Sequence, residues 1–167
     1  MNEKLDTIKD SREMLHSYDD GSKAVEKLLN LAQREVLFFS YDLQPRMVNT
    51  KSISDAMLGI LKRSRKASIK TLLSYNTLIK RDGHRWLEIA RRFTSNIEIK
   101  KPRKEDLSLV HVYLLVDGQA LLYKPYADHY EGYYSLKAPN EVKALRKQFL
   151  EAWNVATPEP EVNRLHL

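Results

Sequence analysis

Residues 107–124, LSLVHVYLLVDGQALLYK, form the longest apolar run in the chain and constrain its fold more than any other stretch. Val, Leu and Tyr dominate it. The Asp117-Gly118 pair in its middle is a two-residue hairpin signal, because both turn positions take positive φ. The run therefore predicts two adjacent strands at the centre of a sheet. His111 stands in the first strand among almost entirely apolar neighbours, which makes it the first candidate for chemistry. Its ordinary reading is a core histidine with a satisfied hydrogen bond.

The rest of the chain supplies further strands and their cover. Ser22 reads as the N-cap of an amphipathic helix with Val25, Leu28, Leu29 and Ala32 on one stripe. Residues 35–41, EVLFFSY, read as a strand, and Pro45 stops its continuation. Ser52 and Asp55 read as a capping pair for a helix over 52–66, with Ile53, Met57, Ile60 and Leu61 recurring at helical spacing. A strand over 68–73 follows. The next helix, 84–93, turns Trp86, Ile89, Ala90 and Phe93 inward and His84, Glu88, Arg91 and Arg92 outward. A short strand over 96–100 precedes the hairpin. After the hairpin come an edge strand near 133–136 and a last helix over 140–155 with Val142, Leu145, Phe149 and Trp153 on its apolar face.

This alternation predicts an α/β fold, a mixed sheet with helices on both faces. Residues 21–156 read as the domain, 1–20 as a polar extension in which Leu5, Ile8 and Leu15 allow a helical turn or two, and 157–167 as a tail.

A chain of 167 residues fits one domain. It has no cysteine, which excludes disulfides and zinc ribbons and allows a reducing compartment. No apolar run approaches the roughly 18 residues of a membrane span, and the first residues carry no apolar core of a signal peptide, so a cytoplasmic protein is expected. Of the net charge of +6, the basic part lies in the middle third: residues 62–105 hold fourteen Lys and Arg against four Asp and Glu. Such a segment attracts phosphate-bearing partners, although the cations of 62–66 also suit the carbonyl end of a helix.

Candidate ligand contacts sit in three loops. Tyr41, Asp42 and Arg46 follow the first strand, and Tyr75 and Asn76 follow the second. Ligands of open α/β sheets bind beyond the carboxyl ends of strands. His84 and Arg85 open a helix after Gly83, where free N–H groups favour an anion. The YADHYEG loop offers Asp128, His129, Tyr130 and Glu131, an interleaving of rings and charge that suits stacking with proton handling. His129 with Asp128 or Glu131 lacks helical spacing and a third ligand, so no metal is expected. No P-loop, dinucleotide glycine fingerprint or nucleophile elbow is present, and no cofactor is expected.

A His-bearing strand followed by an apolar run and Asp-Gly, in this element order, resembles one half of the phospholipase D superfamily fold. Active members carry H-x-K-x4-D-G, with the His as nucleophile and the Lys on phosphate, and two copies meet across a pseudo-dyad. Here the text is His111-Val112-Tyr113-Leu114-Leu115-Val116-Asp117-Gly118. Tyr113 holds the Lys position, and the His-to-Asp spacing is one residue short. Alignment on Asp117-Gly118 instead places Val110 at the nucleophile and turns His111 to the other face, since strand side chains alternate. With one copy, activity through His111 and Asp117 would require a homodimer.

More narrowly, FFSYDLQPR, GHRWLEIARR, LLVDGQALLYKP, YADHYEG and the Phe149/Trp153 pair resemble an uncharacterised bacterial phospholipase D-like domain found alone or fused behind a GNAT-type acetyltransferase. The resemblance covers about residues 24–155. It implies the fold and no established reaction. The leading expectation is a non-catalytic domain that binds a phosphate-bearing ligand, nucleic acid among the candidates. The alternatives are a homodimeric phosphodiesterase or nuclease using His111, and an accessory domain docking a protein such as an acetyltransferase.

Overall fold

The computed structural model describes residues 12–106 and 111–160. The expected turn at Leu5 and Ile8, the start of the expected His111 strand and the end of the tail lie outside the described residues.

In chain order the elements are β1 (Glu13–Leu15), α1 (Tyr18–Leu31), β2 (Glu35–Ser40), α2 (Pro45–Val48), α3 (Lys51–Arg63), β3 (Ser68–Leu73), α4 (Thr77–Asp82), α5 (Arg85–Arg92), β4 (Ile97–Lys101), β5 (Val112–Val116), β6 (Ala120–Lys124), β7 (Gly132–Ser135), α6 (Pro139–Val155) and β8 (Thr157–Pro158). The strands form one mixed sheet in the order β1-β7-β6-β5-β2-β3-β4-β8. β2, β3 and β4 run parallel, and every other neighbour pair is antiparallel.

The hairpin forms at the centre, with Asp117 at φ 52° and Gly118 at φ 71° as expected, but Val116 pairs with Ala120, so three residues, Asp117, Gly118 and Gln119, stand between the strands instead of two. Alternation along the strands then sorts the apolar side chains onto two faces. Val36, Phe38, Ile69, Leu114 and Leu122 pack under the stripes of α1, α3 and α5. Leu37, Phe39, Leu72, Tyr113, Leu115 and Leu121 meet Val142, Phe149 and Trp153 of α6 on the other face. Burying each large apolar side chain is worth roughly 1.5–3 kcal/mol, so each layer is held by the face it covers. Among the described residues no helix is long and apolar enough to cross a membrane.

Several boundaries differ from expectation. Ser17, not Ser22, caps α1, with its Oγ accepting the Asp20 N–H at 3.0 Å. Gly21 lies inside the helix because Met47 closes over it, 2.9 Å from where a Cβ would stand. Thr50, rather than Ser52, caps α3 by accepting the Ile53 N–H at 3.3 Å. β7 is not an edge strand, since the three residues of β1 pair outside it. Thr157 and Pro158, read as tail, pair with β4.

Candidate ligand-binding site

The topology gathers loops at one edge of the sheet. β5 runs antiparallel to β2, β6 to β5 and β7 to β6. The ends of β2, β3 and β6 and the starts of β5 and β7 therefore share that edge. Tyr41, Tyr75, His111, Tyr126 and Tyr130 all lie in the segments that meet there.

The loop after β2 is locked by contacts from three sides. Ser40 Oγ accepts the Leu43 N–H at 3.0 Å, and Leu43 takes φ 50°, a left-handed conformation costly for a Leu. The Leu43 carbonyl accepts the His84 Nε2–H at 2.8 Å, and His84 Nδ1 accepts the Trp86 N–H at 3.1 Å. Both ring nitrogens are thus committed within the protein. His84 is 3% exposed rather than outward-facing, and burial holds its pKa down at about 4. A neutral imidazole is what can donate at one nitrogen and accept at the other.

The Tyr75 N–H continues the strand pairing to the Tyr41 carbonyl at 2.6 Å, and the two rings stack 5.5 Å apart at 8°. Tyr41, Asp42 and Gln44 from this side and Tyr126, Ala127 and Asp128 from the other line a cleft of about 470 Å³. That is within the roughly 300–1,000 Å³ of small-molecule clefts.

Lys124 ends β6 beside this cleft. It is 1% exposed and pairs in register with Val112, which places its side chain on the α1 face. Nζ donates to the Ala127 carbonyl at a long 3.4 Å and stands 5.7 Å from the Tyr18 ring. Burial lowers its pKa, opposed by the charges of Asp42 and Asp128. Burial likewise raises the pKa of Asp42, opposed by the Lys124 charge and by the backbone N–H groups of Asp42 and Gln44. Each charge thus offsets part of the other's desolvation.

The YADHYEG loop closes the arrangement. The Tyr18 hydroxyl donates to the Asp128 carbonyl at 3.1 Å, the Tyr18 ring meets Tyr130 edge-on at 6.1 Å, and the Arg46 guanidinium lies 4.5 Å over the same ring. Tyr126 meets His129 edge-on at 6.0 Å, and His129 Nε2 is 3.7 Å from Asp128 Oδ1. Glu131 is exposed beside them. Gly132 ends the loop because a Cβ there would stand 2.3 Å from the Tyr123 carbonyl oxygen.

Other candidates lie apart from the cleft. Asn76 Nδ2 donates to Glu159 Oε1 at 2.7 Å. Arg85 donates from N and Nη1 to Asn49. His111 precedes β5 instead of sitting mid-strand, half-buried and edge-on to Phe39, Tyr113 and Tyr123 at 5.4, 5.2 and 5.9 Å. Its Nε2 is sheltered and has no hydrogen-bond partner among the described residues, unlike the satisfied core histidine expected. Burial lowers its pKa. Asp117 stands at the other end of β5, roughly 20 Å away for six residues at about 3.3 Å each. Its carboxylate accepts the backbone N–H groups of Gln33, Arg34 and Glu35.

The cations of the basic segment divide between the faces. Arg63 donates to the Leu29 and Ala32 carbonyls at the end of α1, whereas Lys70 and Lys100 lie over Trp153 on the α6 face. Among the described residues no group of three or more His, Asp or Glu could hold a metal ion.

The sequence reading missed Tyr18, Lys124 and Tyr126. Alternation in ALLYK carried a signal for one of them, because Lys124 falls on the same inward face as Leu122.

No curated protein matches the sequence. The fold is phospholipase D-like. TrmBL2, an archaeal chromatin protein with a novel mode of DNA binding, superposes with a TM-score of 0.67 at 18% identity over 90% of this chain and 54% of its own. The chain thus spans about half the length of TrmBL2. Nuc from Salmonella typhimurium, a phospholipase D family member, gives 0.64 at 14% identity over 89% and 97%. NucT from Helicobacter pylori gives 0.63 at 8% over 89% and 99%. At the level of sequence, residues 17–165 match one family profile, so the chain belongs to DUF7931, a domain of unknown function.

Proposed function

We propose that the chain is a non-catalytic phospholipase D-like domain that holds a phosphate-bearing ligand, a single nucleic-acid strand, along the sheet edge. The observation that carries this is the convergence of Tyr75, on the loop after β3, with Tyr126 and Tyr130, on the loop between β6 and β7, which are 43%, 56% and 39% exposed, near the Arg46 guanidinium over Tyr18. Aromatic rings alternating with cations hold single strands by stacking, at about 1–3 kcal/mol per base, and by charge. A chromatin protein that binds DNA with a similar fold supports the same reading.

Sequence chemistry argues against catalysis. Aligned on Asp117-Gly118, the nucleophile and phosphate-lysine positions of the resembled motif fall on Val110 and Val112. A valine cannot attack phosphorus. Lys124, opposite Val112 on the same face, leaves a cation at that rung without the nucleophile.

Fluorescence anisotropy with a labelled single-stranded oligonucleotide tests the proposal. Tyr75→Ala and Tyr126→Ala should each weaken binding about five- to a hundredfold, by the loss of one stacked base. Equal affinity of both variants and wild type would overturn it.

A second reading, a homodimeric phosphodiesterase acting through His111, is favoured by the sheltered Nε2 that has no partner among the described residues. It requires turnover of a phosphodiester that disappears in His111→Ala. Lack of turnover by the wild-type protein eliminates it.

A further inference from the structure

The cleft has a chemistry that a phosphate site should not have. Asp42 and Asp128 both line it, and a phosphate about 4 Å from a carboxylate would be repelled by about 4 kcal/mol at an effective dielectric near 20. A strand lying along the edge must therefore run its phosphates outside the cleft, past Arg46, and turn a base inward. Tyr41 and Tyr126 line the same cleft, and aromatic rings are the side chains on which bases stack.

Resting on the single-strand reading above, we infer that this cleft reads a guanine base, with the Asp42 carboxylate accepting the N1–H and the exocyclic N2–H of guanine together. An ionised carboxylate is acceptor-only and takes two donors side by side. Guanine alone presents two adjacent donors on its Watson–Crick edge. Adenine and cytosine set their amino group beside an acceptor nitrogen, and thymine flanks its single N–H with carbonyl oxygens. Each of these alternatives points an oxygen or nitrogen lone pair at the carboxylate.

The local structure supports Asp42 in this role rather than Asp128. The Asp128 side chain is exposed, beside His129. Asp42 lies in the loop locked by Ser40 and His84, its carboxylate held by the backbone N–H groups of Asp42 and Gln44, with Lys124 behind it. A fixed acceptor pair discriminates because a mismatched base leaves it unpaired.

The test uses the whole chain and short oligothymidine strands carrying one central dG, deoxyinosine, dA or dT, titrated at pH 8. Deoxyinosine keeps N1–H and lacks only the exocyclic amino group. The dG strand should bind about tenfold or more tightly than each of the others, the discrimination of one bidentate pair. In Asp42→Asn, whose amide places a donor beside its acceptor, the dG-to-deoxyinosine ratio should fall to about one. Equal wild-type affinity for dG and deoxyinosine, with all strands bound, would overturn the base reading and leave strand binding standing. Failure of wild type to bind any strand would overturn both. The wild-type comparison decides the matter by itself if Asp42→Asn does not fold.

Discussion

Oδ1 of Asp117 accepts the backbone N–H of Glu35 at 2.8 Å, tying the turn of the central hairpin to the first residue of the neighbouring strand. The same carboxylate takes the N–H groups of Arg34 and Gln33, each at 2.9 Å. One side chain therefore closes the α1–β2 connection and fixes where β2 starts against β5. In Asp117→Ala those donors lose an ionised acceptor, and a left-handed φ passes to a residue that tolerates it poorly. Thermal or urea unfolding should show a loss of about 3–5 kcal/mol, built from hydrogen bonds to a charged group and about 1–2 kcal/mol of backbone strain. Asp117→Asn keeps the turn preference and one acceptor oxygen, so its loss should be smaller.

His84 should stay neutral through the ordinary histidine range. Its folded pKa is lowered to about 4 from 6.5, so the unfolded chain binds more protons between those values. The stabilisation is complete above pH 6.5 and is lost as pH falls toward about 4, up to about 3 kcal/mol from the difference in pKa. NMR of the imidazole should show the Nε2–H tautomer unchanged from pH 7 to 5. A midpoint near 6.5 would contradict the hydrogen bonds to Leu43 and Trp86.

Arg63 separates structural from ligand-binding cations. It donates to the Leu29 and Ala32 carbonyls at 3.0 and 2.7 Å, satisfying the end of α1. Arg63→Ala should cost about 1–3 kcal/mol in unfolding experiments, the worth of charged hydrogen bonds to carbonyls, and leave oligonucleotide affinity unchanged.

Lys124 is tied to Asp42. Each charge offsets part of the other's desolvation, so Lys124→Met, which nearly keeps length and volume, leaves the Asp42 carboxylate without its opposing charge and should lower stability at pH 7 by up to about 3 kcal/mol in urea unfolding. Removing both charges, in Asp42→Asn with Lys124→Met, should recover most of that loss. An undiminished loss in the double variant would contradict the pairing.

The legibility of this chain followed the range of the forces involved. The hairpin at Asp117-Gly118, the stripe of α6 and β3 over Ser68–Leu73 were readable because turn chemistry and periodicity are local. β1 and β8 were not, since strands of three and two residues exist only through pairing with β7 and β4. The sequence marks the loops after β2 and β3 as candidate ligand contacts, and the Tyr41–Tyr75 stack joins them. His84 could not be placed from sequence, because its carbonyl partner, Leu43, lies 41 residues away. The role of Tyr18 was equally hidden, since its hydroxyl meets Asp128 across 110 residues.

The most direct test of the central claim is the salt dependence of binding to a single-stranded oligonucleotide, measured for wild type and Tyr126→Ala side by side. The account predicts that log Kobs falls linearly with log salt, with a slope of about −0.7 for each phosphate contacted. It also predicts that Tyr126→Ala displaces the line downward with its slope kept, because a tyrosine stacks on a base and releases no counterion. A flat line, or coincident lines for the two proteins, would contradict it.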